Sequence, residues 1–158
     1  MSNKDVVFAL VTFLHDLFTA VWIGGLLTLT LSVLPSAKSV LGAGPQTKAL
    51  MNAIQKRLSL LVYISVVGLI VTGLLQANRN DDFTGLFNTD NDYSLVLTLK
   101  HVLVLVMIAI TLIRSLGLNR WKLAAPAKEK LSVRLLFANV ALGVGVLLLS
   151  GFSAALAS

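Results

Sequence analysis

The chain has no cysteine and only two histidines. The first absence excludes disulfides, thiolate metal sites and iron–sulfur clusters. Methionine is nearly absent where it would matter. Met1 is terminal, Met51 lies in a polar stretch, and Met107 alone falls in an apolar run. No methionine ladder therefore lines a span, which is the arrangement a Cu(I) conduit would use. The acidic stretch "NRNDDFTGLFNTDNDYS" lacks the glycine and terminal glutamate, at the right spacing, of a calcium-binding loop. No internal repeat emerges when the two halves are laid over one another. A cleaved signal is not expected either: the first apolar block is too long, and no small-residue cleavage site follows at the expected distance.

What is present is apolar surface. Of the 158 residues, 56% are hydrophobic, too many for a soluble domain of this length to cover. They fall in four blocks, Val6–Leu34, Leu58–Ala77, Leu95–Leu116 and Val133–Leu156. Each has about the length of a membrane-spanning helix. A bilayer leaves only helices or closed barrels as spanning structures, and the strict alternation of barrel strands is missing. The expectation is an all-α integral membrane four-helix bundle forming one domain over residues 1–158.

Charge in the connections sets an orientation. The stretch Pro35–Arg57 holds Lys38, Lys48, Lys56 and Arg57 and no acid. The stretch Ser115–Arg134 holds five basic residues against Glu129 alone. The middle connection instead sets Arg79 against Asp81, Asp82, Asp90 and Asp92. Short Lys/Arg-rich connections stay cytoplasmic. The acidic connection and both termini are therefore expected outside, in a multi-pass protein of the plasma (inner) membrane. Arg114, Arg120, Trp121 and Lys122 would anchor the third helix at the inner interface. The net charge of +6 follows from these connections and does not point to nucleic acid. Pro35 is expected to end the first span near Leu34. Pro45 opens a polar helical pattern running into the second span, and Pro126 suits the first turn of the fourth helix.

Four ionisable residues fall inside the apolar blocks: His15 and Asp16 on the first, Lys100 and His101 on the third. Those two helices run in the same direction. Counting 1.5 Å per residue puts His15 and His101 at depths of roughly 13 Å and 9 Å from the expected helix starts, one level within the error of those starts. Ionisable groups within spans usually face the bundle interior and mark a site. Two neutral imidazoles facing one another can ligate one metal centre, either copper or the iron of a b-type haem. The plainer alternative is a hydrogen bond from each histidine to a neighbouring hydroxyl or carbonyl, with Ser150 or Ser153 as candidates for His15. Asp16 and Lys100 share that level too, and an ion pair is expected, unless Lys100 reaches outward or meets an anionic ligand group such as a haem propionate. Neighbouring helical residues point about 100° apart, so His15 and Asp16 cannot both aim at one point, nor can Lys100 and His101. Trp22, two turns from His15 on nearly the same face, is either packing or the wall of a pocket.

Three segments resemble a known family. "HDLFTAVWIGGLLTLTLSVLP" resembles the first span of the copper resistance D (CopD) family, in which a histidine precedes a Trp-x-Gly-Gly stretch. "KRLSLLVYISVVGLIVTGLLQA" resembles its second span, with a basic residue at the entry and a Thr-Gly near the far end, here Arg57, Thr72 and Gly73. "LVLTLKHVLVLVMIAI" resembles the following span, with Lys100 in an apolar run. The HemJ-type protoporphyrinogen oxidases are similar too: their first-span histidine, implied to bind haem b, precedes a tryptophan by seven residues, as His15 precedes Trp22, and a lysine follows in a later span. Their aromatic, Pro-Arg-containing end of the first span has no counterpart in "LLTLTLSVLP". The resemblance implies copper handling, with His15 and, from its matching depth, His101 as ligands near the outer face, and Asp16, Trp22 and Lys100 in support. A haem b redox protein with the same two ligands is the alternative. A non-catalytic helical subunit of a larger membrane complex is the third reading; the expected partners are the lipid bilayer and either other membrane proteins or further copies of the chain. Whether the chain is an enzyme is left open.

Overall fold

The computed structural model describes residues 2–77, 91–117, 120–121 and 124–156. Those residues are helical with short connections, and no strand occurs among them. Four helical stretches are long and apolar enough to cross a membrane: Asn3–Leu41, Pro45–Ala77, Asp92–Gly117 and Ala125–Leu156. The acidic connection containing Arg79, Asp81, Asp82 and Asp90, and Lys122 of the expected anchor, lie outside the described residues.

The chain divides into two compact units, Met1–Arg79 and Asn80–Ser158. In the first unit, α1 (Asn3–Thr19), α2 (Gly25–Thr28) and α3 (Leu34–Leu41) follow one another with π-helical turns at Ala20–Gly24 and Leu29–Val33 between them. After a short turn comes α4 (Pro45–Ala77). The second unit pairs α5 (Asp92–Leu112), which ends in a π-helical turn at Ile113–Gly117, with α6 (Ala125–Leu156).

Local sequence explains the ends. Ser2 caps α1: its hydroxyl accepts from the Lys4 amide, and Asp5 reaches back to accept from the Ser2 amide at 3.0 Å. Such reciprocal capping satisfies donors that a helix start leaves open. Asn91 caps α5 by accepting from the Ser94 amide at 2.6 Å. Gly42, at φ 72 and ψ −177, takes a positive-φ conformation open chiefly to glycine, and α3 stops there. Pro45 opens α4 and Pro126 sits in the first turn of α6, as their positions in the sequence predict.

Pro35 does not end the first span, contrary to expectation. The helical stretch continues through it to Leu41. A proline inside a helix removes one N–H and presses its ring on the carbonyl four residues earlier. Here the π-helical turn Leu29–Val33 lies immediately upstream, and such a wider turn is one of the adjustments by which a membrane helix absorbs a proline.

The surface is inverted relative to a water-soluble bundle. Phe13, Leu31, Leu60, Val67, Leu148 and Phe152 are among many large apolar side chains that point outward. The buried positions include Ser65, Thr72, Ser94 and Asn139 beside Trp22, Met107 and Val146. Lipid gives no hydrophobic drive for helices to meet, so small and polar residues make the close contacts. In the first unit Gly68 lies under the ring of Phe18, which occupies the space a Cβ would take. Gly25 likewise admits Leu58, whose Cδ1 would lie 2.8 Å from an added Cβ. In the second unit Gly145 faces Leu103.

Candidate functional site

His15 lies on the face of α1 that meets α4. Its Nδ1 is 2.9 Å from Thr72 Oγ1. The Thr72 hydroxyl has one proton, and it goes to the Gly68 carbonyl at 2.7 Å in the same helix. The oxygen can then only accept from the ring, so Nδ1 carries a proton; in the neutral imidazole the lone pair is on Nε2. The ring sits over Gly73: an added Cβ there would lie 3.6 Å from His15 Cε1, an ordinary contact. One turn along, Gln76 Nε2 donates to Thr12 Oγ1 at 3.4 Å. In the other direction Thr19 Oγ1 donates to the His15 carbonyl at 2.9 Å. Ser150 donates to Val146 O and Ser153 to Ser150 O, both within α6.

Asp16, the next residue, is exposed, while His15 is half-buried. The 100° step between neighbours on a helix thus assigns the interhelical position to the histidine. Trp22 is 1% exposed, and its Nε1 has no hydrogen-bond partner among the described residues. Thr30 Oγ1 is in the same condition. A π-helical turn begins between His15 and Trp22, so their angular offset differs from that of a regular helix.

In the second unit His101 donates from Nδ1 to the Leu97 carbonyl at 2.7 Å. A carbonyl only accepts, so this ring too carries a proton at Nδ1. Lys100 and His101 are both half-buried. Deeper along the α5–α6 contact stands a pair that the apolar reading of these segments passed over. Asn139, fully buried, donates from Nδ2 to Thr111 Oγ1 at 3.1 Å, while Thr111 donates to the Met107 carbonyl at 2.9 Å. Asn139 Oδ1 has no partner among the described residues. Its signal in the sequence is a lone amide in "LLFANVALGVG".

Chemically, each unit offers one imidazole whose Nδ1 is engaged in a hydrogen bond. A hydrogen bond at the remote ring nitrogen is what orients a histidine for a metal and raises its basicity. No group of three or more His, Cys, Asp or Glu that could hold a metal ion occurs among the described residues.

Comparison with curated proteins and with solved structures gives no match. A family match is present: residues 52–153 match Copper resistance protein D. The matched stretch begins within α4 and takes in Thr72, Gly73, Lys100 and His101. His15, Asp16 and Trp22 precede it. Covering well over half of the chain, it establishes that the protein belongs to the copper resistance protein D family.

Proposed function

We propose that this multi-pass membrane protein handles copper as cargo through the Nε2 atoms of His15 and His101, in the outer half of the bilayer. The observation that carries the reading is the His15–Thr72 contact at 2.9 Å, joined to the family match. It holds Nδ1 protonated and leaves Nε2 as the donor atom, within a span otherwise poor in donors. Imidazole is a good ligand for copper in either oxidation state. Asp16, exposed beside His15, places negative charge at the same level of the first unit and favours a cation there. The acidic middle connection and both termini face outward in this reading, and the basic connections face the cytoplasm.

Copper binding to the purified protein tests it. After loading with Cu(I) under reducing conditions and dialysis, wild type retains metal and His15→Ala loses it. Loss of all copper in either His15→Ala or His101→Ala assigns one ion to both ligands; partial loss in each assigns separate ions. Retention at the wild-type level in both variants overturns the proposal. A Soret band in the wild type that vanishes in His15→Ala would replace copper by haem. Orientation is open to the same preparation in membranes, because the chain has no cysteine of its own. A membrane-impermeant thiol reagent applied from outside should label Ser2→Cys and spare Ser36→Cys.

A further inference from the structure

Among the remaining features, one polar group stands out at the end of a span. Arg114 lies in the π-helical turn Ile113–Gly117 that closes the third apolar stretch. Its side chain is half-buried, and Nε is shut off from solvent with no hydrogen-bond partner among the described residues. A guanidinium N–H left unmatched in an apolar setting is costly.

The surroundings add to the charge rather than cancel it. α5 and α6 are antiparallel, as the Asn139–Thr111 and Gly145–Leu103 contacts require. By that register Arg114 lies level with about residue 135 of α6, close to Arg134, with Lys130 and Lys128 roughly one to two turns further along. Glu129 is the one acid in that part of α6. The exposed Trp121 is of the type that settles at headgroup level.

We propose that this end of the second unit binds the phosphate of an anionic phospholipid, with the Arg114 Nε–H as its deepest donor and the basic residues at the start of α6 supplying the rest of the attraction. Charge complementarity selects the ligand. A phosphodiester accepts from a planar guanidinium through two parallel bonds, and basic pockets between membrane helices are the usual seats of anionic headgroups. Arg114 lies within a turn of the end of the apolar stretch Asp92–Gly117, where headgroup oxygens would be met. The ligand belongs to the bilayer, so the proposal is independent of the copper reading.

Native mass spectrometry of the intact protein tests it, with phosphatidylglycerol, phosphatidylcholine or inorganic phosphate added in turn. Wild type should retain phosphatidylglycerol about tenfold more strongly than phosphatidylcholine. Arg114→Gln should remove that preference, and Arg114→Lys, which keeps the charge but lacks the fork, should restore only part of it. Equal retention of the two lipids by wild type overturns the proposal even if the variants fail to fold. So does an unchanged preference in a folded Arg114→Gln protein. Displacement of phosphatidylglycerol by millimolar inorganic phosphate would assign the site to free phosphate and overturn the lipid assignment.

Discussion

The two units use one hydrogen-bonding device with different partners. In the first, Thr72 gives its proton to the Gly68 carbonyl four residues back and accepts from His15 on α1. In the second, Thr111 gives its proton to Met107 O and accepts from Asn139 on α6. The back-bond turns each hydroxyl into an acceptor toward the facing helix, and that dictates a donor there. An imidazole meets the demand through Nδ1, and in the proposed reading its second nitrogen is the one that holds a cation. An amide meets it with no ligand of comparable basicity, and its Oδ1 is left over as a buried acceptor. Equivalent helix packing is thereby compatible with metal chemistry in one unit and with packing alone at the corresponding contact of the other.

The sharpest way to break this comparison is to delete the two hydroxyls in parallel. Thr72→Val should weaken copper binding by about 10–100-fold, the usual cost of losing the group that orients a metal-binding histidine. Thr72→Ser should restore it, and Thr111→Val should leave copper affinity unchanged. Equal effects of Thr72→Val and Thr111→Val in a metal titration would show that the units do not differ in this way. The glycine contacts differ as well. Gly68→Ala drives a Cβ into the Phe18 ring and should cost about 1–2 kcal/mol of stability, recovered in part by Phe18→Leu. Gly145→Ala, whose Cβ would stand 3.4 Å from Leu103 Cδ1, should cost less. Thermal unfolding in detergent, followed by circular dichroism, ranks the two. The smallest effect is expected at Asn139. Asn139→Leu removes a bond worth about 0.6 kcal/mol between membrane helices, but it also removes the unmatched Oδ1. The net change should stay within about 1 kcal/mol, and unfolding by the same method checks it.

Much of the fold was legible because apolar length is a strong signal. Four blocks with the right span length and no barrel alternation permit little besides helices. The helix starts at Pro45 and Pro126 followed from proline's fixed φ and missing N–H. Pro35 was misread because the rule for the residue before a proline describes a regular helix. Nothing local in "LLTLTLSVLP" announces the wider turn that accommodates it. At the site, the sequence marked His15 and His101 by their rarity and depth, and the resemblance marked Thr72 and Gly73 without assigning the pair a task. The link between His15 and Thr72 was hidden because it joins residues 57 positions apart through the register of α1 on α4. That register is set by glycine contacts at Gly68 and Gly25, which no periodicity displays. Asn139 was passed over because one amide barely dents the hydropathy of its block.

The π-helical turn at Ala20–Gly24 bears on how this chain tolerates changes in length. A wider turn of this kind is equivalent to one residue added to a regular helix. Deleting a residue there would relax the turn to ordinary winding and rotate everything beyond it by about 100°. Leu26, Leu29 and Thr30, now buried, would swing off their contacts, and exposed Leu31 would turn toward them. The Ser2 cap and the His15–Thr72 contact, upstream of the turn, would keep their phase. The first span thus behaves as two separately indexed segments joined at a phase boundary, with the histidine on one side and the tryptophan within the boundary itself.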